Sequence, residues 1–236
     1  MEVSSALVLA ARKGKREAIV ELLAAHYPTV WRMGTGLTGR LDVGRGVARH
    51  IMQRSLRVLE TWKDEASPTR WFHHHTVLTA RRAEKHSPDL TNDTFLRDAS
   101  SDAGYVAFIR ALRSLPIQQR EAFILSNGEK LGSRALAVAM DCSMIAAENH
   151  LKEAATRLRE LAGPYYGAYL DRMIQAYQKL GPEEEMSIQH VRQRVQRIMI
   201  PWRVLRTIEF IASLILLAIT LWGTMWVWRI VRHSMS

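Results

Sequence analysis

An uncharged apolar run near the C-terminus constrains this chain more than any other feature. Residues 210–228 read FIASLILLAITLWGTMWVW, with no charged side chain. As a helix rising about 1.5 Å per residue, the run is roughly 28 Å long, close to the thickness of a bilayer's hydrocarbon core. Tryptophans flank it, as at a membrane interface: Trp202, Trp222, Trp226 and Trp228. A buried core helix of this length normally shows a polar face. The run therefore predicts a transmembrane helix over residues 207–230.

The charges beside this run predict its orientation. Five arginines precede it and two follow it, at positions 192, 194, 197, 203 and 206 and at 229 and 232. Basic residues concentrate on the cytoplasmic side of a span. The chain opens with Glu2 and without a basic stretch, so we expect no cleaved leader. We expect a single-pass protein of the cell membrane, with cytoplasmic N-terminal domains and a short C-terminal tail outside.

Composition narrows the classes of function. The chain has 33 Lys and Arg against 23 Asp and Glu, a net charge of +10, which favours a polyanionic partner. Cys142 is the single cysteine, which excludes an intrachain disulfide and a thiolate metal cluster. The sequence contains no phosphate-binding loop, no HExxH and no nucleophile elbow. We therefore predict no catalytic residues, no cofactor and no metal, and a protein that is not an enzyme.

Apolar residues recur at helical spacing, and no strand-like alternation occurs, which predicts an all-α chain. In the first part we predict a helix over 5–33 that breaks or kinks at Pro28, a loop at Gly34, Gly36 and Gly39, and a helix over 47–62. A third helix over 68–84 begins with Ser67 as N-cap ahead of Pro68. The polar residues 86–104 lack periodicity and predict a linker.

The next part predicts a helix-turn-helix. Helices over 105–115 and 116–127 lead to an Asn127-Gly128 C-cap, then to a short helix over 133–140. A tight turn at Asp141-Cys142 and an N-cap at Ser143 start a longer helix that ends near residue 162. Its predicted buried face consists of Leu151, Ala154, Leu158 and Leu161. In such a motif the second helix enters the DNA major groove.

Five sequence blocks with uninterrupted spacing resemble region 4 of the extracytoplasmic-function (ECF) sigma factors of the sigma-70 family. They are ALRSLP at 111–116, QREAFIL at 119–125, Leu136-Ala137, Ser143 and LKEAATRLR at 151–159. Leu7-Val8, AARKG at 10–14 and Glu17-Ala18 are similar to the opening of region 2. Trp71, leading a helix into Arg81-Arg82, is similar to the helix that binds the melted minus-ten strand.

The resemblance implies two small helical domains and their partners. A region 2-like bundle would occupy 1–85 and a region 4-like helix-turn-helix domain 105–163, joined by the linker at 86–104. A helical juxtamembrane extension over 164–206 would lead to the transmembrane helix. The implied partners are core RNA polymerase, promoter DNA, the cytoplasmic membrane and a membrane-embedded regulatory partner.

The resemblance also implies three groups of site residues. Those for minus-ten DNA are Trp71, Phe72, His74, Arg81 and Arg82. Those for DNA at the helix-turn-helix are Arg134, Ser143, Asn149, His150 and Lys152. Those for polymerase are Asp42, Arg49 and Gln53. Trp71 and Phe72 are adjacent on a helix and point about 100° apart, so we expect one buried and one exposed.

Two departures from the family pattern keep alternatives open. Asp42-Val43-Gly44-Arg45 stands where the family has roughly DAED, the acidic stretch that binds polymerase. Glu148 lies where a basic residue is common in the recognition helix. The leading interpretation is a membrane-anchored ECF-type sigma factor. The alternatives are a sigma-derived membrane scaffold or sequestering protein that no longer loads polymerase, and a membrane-bound helix-turn-helix regulator.

Residues 187–199 form a basic amphipathic segment. We expect this segment either to lie on anionic lipid or to fold back on the helical domains.

Overall fold

The computed structural model describes residues 3–84, 93–97, 102–180 and 188–234. Within these ranges the protein is helical and has no strand, which confirms the all-α prediction. The ten α-helices described are α1 Ser5–Arg12, α2 Arg16–Thr38, α3 Leu41–Ser55, α4 Ala66–Glu84, α5 Ala103–Ser114, α6 Ile117–Gly128, α7 Ser133–Met140, α8 Met144–Ala162, α9 Tyr166–Gln178 and α10 Ile188–Ser234. They fall into two compact units, Met1–Val195 and Gln196–Ser236.

Helix α2 continues through Pro28, so the chain does not break there. It also continues through Gly34 and Gly36, so the loop predicted at these two glycines was wrong. The glycines serve helix packing instead. A Cβ on Gly34 would lie 3.2 Å from the Gly44 carbonyl oxygen of α3, so the two helices approach closely because Gly34 has no side chain. Gly39, with φ of 72°, ends the helix and donates its N–H to Thr35 O at 2.8 Å.

Helices α3 and α4 both begin earlier than the sequence predicts. Helix α3 starts at Leu41 and ends at Ser55, and a short 3₁₀ turn, Leu59–Thr61, replaces the predicted helical end. The sequence did not predict the start of α3, because Gly44 and Gly46 lie near it and glycine is a poor helix former. Helix α4 starts at Ala66. Asp64 Oδ1 accepts the backbone N–H of Ser67 at 2.6 Å, so Ser67 lies in the first turn and is not the N-cap.

The core that positions the helix-turn-helix draws on both parts of the sequence. Phe108, Phe123 and Leu158 from α5, α6 and α8 are fully buried in it. Met33 and Leu37 of α2 and Val77 and Ala80 of α4 belong to the same cluster. Helices α2 and α4 thus pack on the helices that follow residue 102, within the unit Met1–Val195.

The described part of the predicted linker contributes to this core. Thr94–Leu96 is a 3₁₀ helix, and Phe95 is only 2% exposed. Asp93 accepts a hydrogen bond from Arg113 Nε at 2.6 Å, and both side chains are nearly fully buried. Arg113 Nη1 also donates to the carbonyl oxygens of Gly36 and Leu37 at 2.9 and 3.1 Å. This ties the C-terminal carbonyls of α2 to α5. Residues 93–97 of the predicted linker therefore contribute to the core; residues 86–92 and 98–101 lie outside the described ranges.

Helix α9 packs on both α2 and α6 through Tyr177. A Cβ on Gly36 would lie 2.6 Å from the Tyr177 ring, and a Cβ on Gly128 would lie 2.8 Å from it. The fully buried Tyr177 donates its hydroxyl to Glu129 Oε2 at 2.9 Å. Gly128 is therefore a packing position, whereas the left-handed residue after α6 is Lys130, with φ of 59°. This corrects the predicted C-cap at Asn127-Gly128.

The second unit consists of α10 from Gln196 onward. The helix continues through Pro201. Among the described helices, one segment is long and apolar enough to cross a membrane: Arg206–Met225, with a mean hydropathy of 1.9 and none of its most apolar window buried. Its large apolar side chains, such as Ile211, Leu216 and Trp222, are exposed.

Candidate nucleic-acid interface

The helix-turn-helix is formed by α7, a tight turn and α8. Asp141 takes the left-handed conformation, with φ of 59° and ψ of 50°, and its N–H donates to Ala137 O. Asp adopts this conformation more readily than most residues do. Ser143 is the N-cap of α8, and its Oγ accepts the Ala146 N–H at 3.1 Å. Both the predicted turn and the predicted cap are confirmed.

Helix α8 has one buried face and one exposed face. The buried face consists of Ala147, Ala154, Leu158 and Ala162. Leu161 was predicted to be buried but is 54% exposed, and the smaller Ala162 takes the inward position at this end of α8. Ile145, Asn149, Lys152 and Thr156 are exposed on the opposite face. The surface that can enter a major groove is therefore open.

The predicted DNA contacts of the helix-turn-helix lie around this open face. Arg134 at the start of α7 is exposed, as are Asn149 and Lys152 on α8. Ser143 is exposed but its Oγ is engaged in the helix cap. His150 is half-buried, about 100° around the helix from Asn149.

Helix α4 meets the helix-turn-helix at a shallow cleft. The cleft has a volume of about 430 Å³ and is lined by His74 from α4 and by Arg134, Ala137, Val138, Asp141, Cys142 and Met144. His74, predicted to contact minus-ten DNA, therefore lies beside the turn that precedes α8. Burial raises the pKa of the Cys142 thiol above its usual value, which disfavours its reactive thiolate form.

Trp71 and Phe72 point in different directions from α4. Phe72 is fully buried and stacks on His26, with ring centroids 4.6 Å apart, so it serves the core rather than a DNA base. Trp71 is half-buried against His75, at a centroid distance of 4.3 Å. Burial lowers the pKa of both His26 and His75 to about 4, which keeps these rings neutral at pH 7. Trp71 is the aromatic residue of this pair that keeps an accessible edge.

Arg81 is held within the protein by a carboxylate that the sequence patterns did not single out. Its Nε and Nη2 donate to Glu121 Oε1 and Oε2 at 2.9 and 2.6 Å. Glu121 lies on α6 and is only 3% exposed. Arg81 Nη2 also approaches Met140 O of α7 at 3.5 Å. This bidentate pair joins α4 to α6, which supports the helix-turn-helix, whereas the neighbouring Arg82 is exposed to solvent.

The predicted polymerase contacts lie on one exposed face of α3. Asp42, Arg49 and Gln53 are spaced by seven and four residues, which places them on a single line along the helix. Asp42 Oδ2 is 2.9 Å from Arg40 Nη2, and this hydrogen bond lowers the pKa of the carboxyl. No group of three or more potential metal ligands is found among the residues that the structure describes.

Comparison with known proteins agrees with this geometry. Residues 105–158 match the family model described as sigma-70, region 4. The match begins within α5 and ends within α8, so it covers the helix-turn-helix and its two supporting helices. No curated protein matches the chain. Residues 105–158, which contain the helix-turn-helix, are therefore similar to region 4 of sigma-70 proteins.

Proposed function

We propose that the protein is a membrane-anchored sigma factor of ECF type that directs RNA polymerase to promoters. The proposal rests on one observation: the same chain contains a match to sigma-70 region 4 and an apolar helix long enough to span a membrane. The outer face of α8, the recognition helix of the matched region, is exposed. The region 4-like domain would occupy 105–163 and read minus-thirty-five DNA. The region 2-like bundle over 1–85 would bind melted minus-ten DNA.

The packing of the first unit narrows the set of residues that we propose contact minus-ten DNA. Trp71, His74 and Arg82 have accessible surface on α4 and are our minus-ten candidates. Phe72 is buried and Arg81 is bound to Glu121. For Arg81 to contact DNA, α4 would have to separate from α6 and α7. The same contacts would be broken when the two domains spread over a promoter.

The test of polymerase loading uses the full-length protein in detergent micelles. We expect it to bind core RNA polymerase and to support initiation from a promoter selected in vitro. Asn149→Ala is the matched variant: it should abolish promoter selection while leaving core binding intact, because Asn149 is an exposed groove-side residue of α8. Failure of the wild-type protein to bind core polymerase would refute the sigma assignment.

A specific feature of α3 supports a second candidate function, a sigma-derived membrane scaffold or sequestering protein. The segment Asp42-Val43-Gly44-Arg45 retains one acidic residue, and Arg40 already binds its carboxylate. This candidate predicts DNA or partner binding without transcription initiation. Binding of core polymerase in the transcription assay separates the two candidates. A membrane-bound regulator that uses only the helix-turn-helix would bind DNA and not core polymerase.

The single cysteine offers a direct test of membrane topology. In a Cys142→Ser background, Ser234→Cys places a thiol beyond the apolar segment, and Ser4→Cys places one at the exposed start of α1. A membrane-impermeant maleimide should label the first variant in intact cells and the second only after permeabilisation. The reverse pattern would refute the proposed orientation, and extraction of the protein by alkaline carbonate would refute the anchor.

A further inference from the structure

The exposed face of α8 carries four side chains in one line. Ile145, Asn149, Lys152 and Thr156 are spaced by four, three and four residues, which keeps them within about 60° of one another around the helix. This line lies opposite the buried Ala147, Ala154 and Leu158. Ile145 is 70% exposed, the largest exposure of any large apolar side chain described in Met1–Val195. We call this set the groove stripe.

An apolar side chain at this position needs an apolar partner in the groove. The N-terminal residues of a recognition helix face base edges, and Ile145 lies in the first turn after the Ser143 cap. An aliphatic side chain cannot exchange hydrogen bonds with a base. The C5 methyl of thymine is the apolar feature that base pairs present in the major groove. Met144, beside Ile145, is 51% exposed and extends this apolar surface.

The remaining residues of the groove stripe indicate which base pairs lie near the thymine that Ile145 would contact. Asn149 lies one turn after Ile145, at a rise of about 6 Å, which corresponds to roughly two base-pair steps of about 3.4 Å. An asparagine at such a position suits the N6 and N7 atoms of adenine. Lys152 and, on α7, Arg134 are exposed cations beside this surface and suit DNA phosphates. The occupant that matches all of these groups is duplex DNA.

We propose that Ile145 is a specificity-determining residue that contacts the C5 methyl of a thymine in the minus-thirty-five element, one or two base pairs from an adenine bound by Asn149. This inference rests on the proposed promoter binding. It assigns base recognition to an apolar side chain in the first turn of α8, ahead of the polar residues that the sequence pattern singles out.

The test removes a single methyl group from the DNA. Duplexes selected in vitro with the full-length protein in detergent micelles are resynthesised with one thymine at a time replaced by deoxyuridine. We expect one such replacement to weaken wild-type binding about fourfold, the factor that corresponds to one buried methylene-sized group. Ile145→Ala should weaken binding of the thymine duplex by a similar factor or more, and should lose its sensitivity to that deoxyuridine.

The matched control is Leu161→Ala, which shortens another exposed apolar side chain of α8 outside the groove stripe. It should retain wild-type affinity and full sensitivity to deoxyuridine. The assignment is overturned if no deoxyuridine weakens specific binding, or if Ile145→Ala keeps the wild-type sensitivity. It is also overturned if Ile145→Ala binds DNA normally and core polymerase poorly, which would make Ile145 a protein contact. Absence of any sequence selection by the wild-type protein would instead refute promoter binding itself.

Discussion

Removal of the Tyr177 hydroxyl tests whether α9 holds the first unit together. Tyr177 is fully buried between Gly36 and Gly128, and its hydroxyl donates to Glu129 Oε2 at 2.9 Å. Tyr177→Phe keeps the ring that fills the space between α2 and α6 and deletes one hydrogen bond to a carboxylate. Such a bond contributes about 1.5–3 kcal/mol to stability. Since Glu129 also pairs with Arg32 Nη2 at 3.4 Å, its charge keeps a partner in the variant, and we expect the lower half of that range.

The assay is thermal or urea unfolding of the full-length protein in detergent micelles, followed through the near-ultraviolet signal of the buried tryptophans. For a unit of this size, each 1 kcal/mol corresponds to about 2–4 °C in Tm, so Tyr177→Phe should lower Tm by roughly 3–9 °C. Hydrogen exchange should rise in α9 first, because the variant loosens its attachment. Tyr165→Phe is the control: Tyr165 is 63% exposed, and the variant should shift Tm by less than about 1 °C. Equal Tm values for wild type and Tyr177→Phe would refute the role of the hydroxyl.

Three further predictions follow from single contacts. Glu121→Gln leaves the Arg81 guanidinium without its bidentate carboxylate. We expect the unfolding free energy to fall by about 2–3 kcal/mol, less than for a fully buried pair because the Arg81 side chain is 25% exposed. Binding of single-stranded minus-ten DNA should increase, because Arg81 is released. Unchanged stability would contradict the pairing of Arg81 with Glu121. Ser143→Ala deletes the α8 N-cap and should lower stability by about 1 kcal/mol. Ser133→Ala should have little effect, because the N-cap of α7 is Gly132 and Ser133 is its first helical residue. The third concerns pH: burial lowers the pKa of His26 to about 4, so the unfolded chain binds this proton more tightly than the native protein. The contribution of His26 to stability should therefore be fully present above pH 6.5 and should be lost as pH falls from 6.5 towards 4, by up to about 3 kcal/mol. Urea titrations at a series of fixed pH values should show a weaker dependence of the unfolding free energy on pH for His26→Leu than for the wild type. An unchanged pH dependence in the variant would assign the effect to other groups.

Much of the helix-turn-helix could be predicted from sequence because its determinants are local. The Asp141 turn, the Ser143 cap and the limits of α7 each depend on residues within one helical turn. The match of residues 105–158 to sigma-70 region 4 agrees with the motif spacing that carried the resemblance. The sequence likewise predicted the length and the apolar character of the segment Arg206–Met225 of α10.

Predictions failed where a distant residue decides the local structure. Gly34 and Gly36 are helix breakers by propensity, yet α2 continues through them because α3 and Tyr177 pack where side chains would otherwise stand. The segment around Phe95 is polar on average, and its single aromatic residue is buried because α2 and α5 provide the cavity and Arg113 neutralises Asp93. Propensity describes a chain segment by itself, whereas burial depends on what packs against it.

The sequence by itself therefore determined the helical class, the helix-turn-helix with its cap and turn, and an apolar helix long enough to cross a membrane. Only the tertiary structure decided which candidate site residues are accessible. Phe72 stacks on His26 in the core, and Arg81 binds Glu121, 40 residues away in sequence. Ile145 stays exposed on the groove stripe. The physical reason is that caps, turns and periodicity depend on neighbours along the chain, whereas the partner of a charge or an aromatic ring is set by helices that meet only after folding.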